Sequence, residues 1–169
     1  MTPADPAGLV LRDMSREDVR AVVRIEVDRH PVDAWSSTAF HEALDRPDRY
    51  VCLVTSTGPD ESRDPYDRGA GVAAYGVISL AGGTADLDNL TVREDHQRQG
   101  IGRRLLAGLL EAAARRGAHE VLLEVRHDNV AAIALYAADR FVEISRRNDY
   151  YAPGLDAIIM RRSLDATHG

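Results

Sequence analysis

Apolar and polar positions along the chain change period several times, and each change marks an element. Leu9-Val10-Leu11-Arg12 is a short apolar run that predicts a first strand. Ser15, with Asp18 three residues on, is a helix-start signal just ahead of Val19. Val19, Val22, Val23 and Val27 then form an apolar stripe with Ile25 beside it. A second, short helix is predicted over 36–44, where Ser36 and Ser37 can cap it and Phe40 and Leu44 stand four apart on one face. Residues 50–55 read as the next strand. Residues 58–71 have almost no apolar content and read as a mobile hairpin loop, not as a domain boundary. Strands over 71–80 and 84–92 flank Ala81-Gly82-Gly83, a turn that permits positive φ and so predicts an antiparallel pair.

The C-terminal half alternates strand with helix. Ile101, Leu105, Leu109 and Ala113 recur every four residues with Leu106 and Leu110 beside them, an amphipathic helix that Gly117 terminates. Residues 121–125 are the fifth strand, 129–138 a further helix, and 141–145 and 157–160 the last two strands. A meander followed by this alternation implies an α/β fold (α+β by convention), with a mixed, mostly antiparallel sheet of about seven strands and helices on both faces. The reading is one domain over 9–164 with flexible termini at 1–8 and 165–169.

Charge and composition remove whole classes of function. The 169 residues carry a formal charge of −6, which argues against a bulk nucleic-acid binder. All 21 cations are arginine, so Walker A loops, Schiff-base chemistry and lysine general bases are excluded together. Cys52 has no partner cysteine and lies in an apolar strand, where it reads as a small buried hydrophobe; a cytoplasmic location follows as the default. No run approaches the roughly 20 apolar residues needed to cross a bilayer, so no membrane association is expected. The histidines show no ligand spacing: His41-Glu42 and His119-Glu120 each lack a second histidine four residues on, so no metal is predicted.

The segment Gln97-Arg98-Gln99-Gly100-Ile101-Gly102-Arg103 stands between a strand and a helix, where glycines allow close backbone approach and the helix start leaves N–H groups unpaired. Such a turn suits a pyrophosphate. A dinucleotide fingerprint would need a third glycine where Leu105 stands, and a P-loop needs a lysine the chain does not have. The pattern Gln/Arg-x-x-Gly-x-Gly/Ala resembles the acetyl-CoA pyrophosphate loop of the GNAT N-acetyltransferase superfamily. The stretch from about Asp86 to Met160 resembles its ribosomal-protein alanine N-acetyltransferase (RimI-like) branch more closely. The residues that carry this are Asn89-Leu90-Thr91-Val92, Leu123-Glu124-Val125-Arg126, 129–136 from Asn129 to Tyr136, Arg146-Arg147-Asn148 and Tyr150-Tyr151. Trp35-Ser36 and Phe40 extend the likeness weakly into the N-terminal half. Asp149, Arg140 and the polar 58–71 loop depart from it.

Alternation along the fifth strand puts Val121, Leu123 and Val125 on one face and Leu122, Glu124 and Arg126 on the other, so Glu124 is expected beside Arg126. A solvated ion pair at a strand end explains that spacing. A carboxylate on a strand covered on both faces would instead be expensive unless used. The resemblance implies that Glu124 is the base for the amine, with Asp88 a competitor ranked below it. Asn129, Ala132, Ile133 and Tyr136 share one helical face, a spacing equally suited to a cap and a core tyrosine. The resemblance makes Asn129 a coenzyme contact and Tyr136 the acid that protonates the departing thiolate. It gives the backbone of Leu90, Thr91 and Val92, where the fourth strand splays from the fifth, the task of holding the thioester and pantetheine arm. Gln97, Arg98, Gln99, Gly100, Ile101, Gly102 and Arg103 would hold the phosphates, and Trp35, Tyr150 and Tyr151 would line the acceptor end. The implied activity is direct acetyl transfer from acetyl-CoA to an amine, with a protein N-terminus, such as that of a ribosomal protein, as the favoured acceptor. A small-molecule amine, a lysine side chain or a non-catalytic coenzyme-sensing module are the rivals.

Overall fold

The computed structural model describes residues 8–56 and 71–165, so the expectations for both termini and for the polar 58–71 loop fall almost entirely outside it. Within these residues β1 (Val10–Asp13), β2 (Tyr50–Ser56), β3 (Val72–Ala81), β4 (Thr84–Val92), β5 (Glu120–Arg126), β6 (Val142–Ala152) and β7 (Leu155–Ser163) form one sheet in the order β1-β2-β3-β4-β5-β7-β6. Only β4 and β5 run parallel. The helices are α1 (Val19–Arg29), α2 (Ser37–Leu44), α3 (Ile101–Arg115) and α4 (Val130–Ala138). No helix among the described residues is long and apolar enough to cross a membrane.

Period-two alternation in the central strands feeds two cores. Val51 and Leu53 of β2 pack on the α3 side with Leu105, Leu106 and Leu109, whereas Cys52 and Val54 face α1 and α2 with Val22 and Phe40. Buried Cys52 thus behaves as a small hydrophobe, and burial pushes its thiol up to about 12. Helices do lie on both faces, but α1 and α2 pack on β2, β3 and β4. The α1-side face of β5 is open, with Glu124 and Arg126 exposed, and this corrects the expectation of a strand covered on both faces.

Three boundaries or faces differ from the sequence reading. Val27 is 53% exposed, and the inward stripe of α1 runs through Val19, Val22, Ile25 and Glu26 instead. A carboxylate seven residues after Val19, a residue type ordinarily left in solvent, lies on the buried face. The last two strands are longer than expected, because β6 and β7 form a hairpin; β6 runs on through Tyr150 and Tyr151, in a stretch between Arg147 and Ala152 where its register with β7 is irregular, and it is exposed along nearly its whole length. Arg140, one of the departures from the resembled branch, holds φ +67°, a left-handed conformation that glycine adopts at less cost. Asp149 holds φ +54° and accepts the Gly154 N–H at 2.7 Å, so its carboxylate is engaged in the hairpin turn.

Candidate active site

Two irregularities in β4 build the site. Its register with β5 ends at Asp86↔Leu122, so beyond Asp86 the two strands diverge and the β5-facing backbone of β4 has no strand partner. This is the splay the resemblance implied. The second irregularity is a bulge: Ile78 pairs with Leu87 and Val77 with Asn89, leaving Asp88 as an extra residue. An extra residue reverses the parity of everything after it. Ala85 and Leu87 belong to the α3-side core, but after the bulge Leu90 and Val92 face that side while Asn89 and Thr91 turn toward α1.

The wedge between the diverging strands opens into two adjoining clefts. The first, of about 460 Å³, lies against the starts of α3 and α4. Leu90, Thr91 and Val92 form its strand side; Gln97, Arg98, Gly100, Ile101, Gly102 and Arg103 form its loop and helix side; and Asn129 closes it. Gly100 caps α3 at φ +76°, and the first N–H groups of that helix have no intrahelical acceptor. A Cβ on Gly102 would sit 3.4 Å from Val92 and 3.6 Å from Leu135, so any longer side chain would fill the cradle. A glycine-lined helix start bearing arginines, joined to unpaired strand backbone, fits a pyrophosphate followed by an amide-bearing arm. Gln99, expected with this group, is exposed and does not line the cleft.

The second cleft, of about 230 Å³, is lined by Glu26, His30 and Asp33 on the α1 side, by Glu124 and Arg126 of β5, and by Trp35 and Tyr151. His30, Leu90, Asn129, Ala132 and Tyr136 line both clefts and mark their junction. Tyr150 lines neither; it is 49% exposed and packs edge-on against Tyr151 with ring centroids 5.1 Å apart. Only one of the expected tyrosine pair therefore reaches the cleft.

Glu124 lies 3.4 Å from the Arg147 guanidinium. Its expected neighbour Arg126 instead grips Asp128 through two hydrogen bonds of 3.0 and 2.8 Å, because the turn after β5 brings that carboxylate closer. Tyr136 is 8% exposed, with its ring 5.7 Å from Phe141, and burial alone pushes its phenol up to about 12. The hydroxyl thus stays protonated across the neutral range. Asn129 does cap α4, its Oδ1 accepting the Ala132 N–H at 3.2 Å, which leaves its Nδ2 to meet a ligand. Asp88, the bulged residue, is raised to about 6 by desolvation, with the nearby Asp86 carboxylate adding to the shift against a hydrogen bond from Ser79.

Sequence reasoning missed a buried polar chain behind the junction. Glu26, 2% exposed, accepts hydrogen bonds from the Tyr75 hydroxyl, from the Trp35 backbone N–H at 3.0 Å, and from Asn89 Nδ2 at 3.0 Å to each oxygen. Thr91 Oγ1 donates to Asn89 Oδ1 at 2.9 Å and lies 3.0 Å from His30 Nε2. Burial and the adjoining Glu26 carboxylate push the Tyr75 phenol well above its ordinary value. The chain ties the C-terminal end of α1 to β3 and β4, and so fixes one wall of the acceptor cleft. The sequence signal was a glutamate seven residues after Val19 on an otherwise apolar helical face.

A splayed parallel pair, a glycine-capped helix at its mouth and a carboxylate and a phenol lining the adjoining clefts suit an acyl-transfer enzyme that draws on a pyrophosphate-bearing donor. Residues 19–140 match the family described as Acetyltransferase (GNAT) family. The chain is 34% identical to the [Ribosomal protein bS18]-alanine N-acetyltransferase of Escherichia coli strain K12 over 154 residues, 89% of this chain and 94% of that one. It is 33% identical to the N-alpha-acetyltransferase RimI of Mycobacterium tuberculosis over 165 residues, 94% of this chain and 95% of that one. The crystal structure of the E. coli ribosomal-protein-S18-alanine N-acetyltransferase superposes with a TM-score of 0.75 at 31% identity, covering 92% and 94% of the two chains. The chain belongs to the GNAT family of acetyl-CoA-dependent N-acetyltransferases, as the resemblance implied.

Proposed function

We propose that this enzyme acetylates the N-terminal α-amine of a protein, with a ribosomal protein as the acceptor by analogy with its E. coli relative. One observation carries the reading: the cofactor-side and acceptor-side clefts meet at Tyr136, Leu90 and Asn129, with Glu124 on the acceptor side only. Acetyl-CoA, when bound, supplies the thioester carbonyl that the amine attacks. The first N–H groups of α3, with Arg98 and Arg103, hold the phosphates, and Gly100 and Gly102 keep the approach clear of side chains. The unpaired backbone of Leu90, Thr91 and Val92 holds the arm, and an N–H there balances charge arising on the carbonyl oxygen. Glu124 receives a proton from the amine, directly or through one water, and its ion pair with Arg147 favours the charged carboxylate. Tyr136 gives its phenolic proton to the sulfur as the C–S bond breaks. Trp35 and Tyr151 flank the incoming chain.

The intrinsic chemistry favours the same acceptor. With reference values of about 7.7–8.0 for an α-amine and about 10.4 for lysine, the uncharged fraction at neutral pH is several hundred-fold larger for the α-amine. An open cleft that does not strip water from its substrate serves the former better. The test is a competition between a lysine-free peptide with a free N-terminus, an N-terminally blocked peptide containing lysine, and a polyamine, with mass spectrometry locating the acetyl group. Acetylation mainly on the free N-terminus is expected. Acetylation mainly on either of the others would overturn the reading and point to Asp33 and Asp88, which line the second cleft, as cation-selecting groups.

A further inference from the structure

The buried chain behind the junction has a direction, and that direction sets which partner donates in the contact between His30 Nε2 and Thr91. Glu26 is the terminus, accepting from the Tyr75 hydroxyl, the Trp35 N–H and Asn89. A carboxylate in that setting requires Asn89 to present its NH₂ group, which orients the amide unambiguously and turns Oδ1 toward Thr91. Thr91 has one hydroxyl proton, and it is spent on that Oδ1 at 2.9 Å. What Thr91 offers His30 at 3.0 Å is therefore a lone pair, so the imidazole must donate from Nε2–H. A neutral imidazole protonated on Nε2 carries its lone pair on Nδ1. His30 lines both clefts at their junction, and Glu124 lines the second of them with it.

We propose that His30 is a second acceptor for the amine's hydrogens, locked in the Nε2–H tautomer by the Glu26–Asn89–Thr91 chain. A neutral primary amine has two N–H bonds and one lone pair. With one N–H directed to Glu124 and the other to His30 Nδ1, the lone pair is left for the thioester carbon, an orientation that either acceptor alone would leave free to rotate. This rests on the reading that the amine enters beside Glu124. It also gives the buried carboxylate a purpose beyond stapling α1 to the sheet: it polarises and orders a path of neutral groups that ends at the reacting nitrogen.

The experiment has two arms on the full chain. In the first, the protein is labelled with ¹⁵N-histidine, and long-range ¹H–¹⁵N spectra of the free protein identify the His30 tautomer, with a His30→Asn sample for assignment. The expected result is Nε2 protonated and Nδ1 bare in the parent, and loss of that single tautomer in Thr91→Val, which keeps side-chain shape and backbone. A parent with Nδ1 protonated, or a Thr91→Val variant with an unchanged tautomer, would overturn the proposal. The second arm compares His30→Asn, whose Oδ1 stands in for Nδ1, with His30→Gln, whose end group reaches only the Nε2 position. Rates are read with the amine that the parent acetylates fastest in the competition above, and acetyl-CoA affinity by calorimetry verifies a folded cofactor cleft. His30→Gln should lose about tenfold or more in kcat/KM for the amine, with His30→Asn keeping most of it. Equal rates in both, or better retention by His30→Gln, would reduce His30 to a structural partner of Thr91. Because the spectra need no substrate and the rates use whichever amine is turned over, failure of the N-terminal acceptor reading shows in the competition alone.

Discussion

Tyr136→Phe separates a proton donor from a packing residue, because the ring stays and only the hydroxyl goes. Burial raises that phenol from 10.0 to about 12 in the folded chain, and it is 8% exposed. A group whose folded-state value is raised contributes stability that is complete below its unfolded value and is lost as pH rises toward the folded one. The window is therefore about pH 10 to 12. Each tenfold difference in acidity between the folded and unfolded chain is about 1.4 kcal/mol, so the parent should lose roughly 2–3 kcal/mol across that window on account of Tyr136. The Phe variant has no such titration and should lose that much less. Tyr75 and Cys52 also titrate upward, but they are present in both proteins and cancel in the difference. Urea unfolding of parent and variant at intervals from about pH 8 to 12 measures it. Turnover is the second readout: with the phenol still protonated well above neutrality, Tyr136→Phe should slow thiol release on the order of a hundredfold at any pH below about 10. Stability curves that stay parallel would mean that the hydroxyl ionises as freely as in water. An unchanged rate would return Tyr136 to the core it shares with Phe141.

Glu124→Gln should lower kcat by roughly 10² to 10⁴-fold while leaving acetyl-CoA affinity within about twofold, since the carboxylate lines the acceptor cleft and not the cofactor cleft; a full pH–rate profile matching the parent's would transfer the base role to Asp88 or solvent. Gly102→Val should weaken acetyl-CoA binding at least tenfold by calorimetry, because its Cβ already meets Val92 at 3.4 Å and the added methyls have only the phosphate cradle to occupy; unchanged affinity would move the pyrophosphate elsewhere. Arg140→Gly should stabilise the fold by about 0.5–1 kcal/mol, the relief of a left-handed non-glycine residue less the entropy glycine adds to the unfolded chain. Thermal unfolding should then rise by roughly 1–4 °C, and a fall would show that the Arg140 side chain holds more than its strain costs.

Much of this enzyme is legible in its linear pattern because the relevant physics is local. Amphipathic periods place α3, Gly117 ends it, and Gly82 and Gly83 turn β3 into β4. The glycine pair at the start of α3 and the Asn129 cap are likewise properties of a few consecutive residues, and the proposed pyrophosphate site rests on them. What the tertiary structure decided concerns parity and neighbours. A single bulged residue, Asp88, reverses the faces of Asn89 and Thr91, and no alternation rule applied through it could bring them to α1. The α1 stripe passes through Glu26 because three donors from β3, β4 and the loop before α2 wait there, and a carboxylate can be buried only where such donors converge. The partner of Glu124 is Arg147 because β7 inserts between β5 and β6, a choice of strand order made by long-range pairing. Local sequence therefore determined the elements and the anion cradle. The walls of the second cleft, the contact of His30 with Thr91 and the open face around Glu124 were set by contacts between residues dozens of positions apart, whose energies no short window of sequence contains.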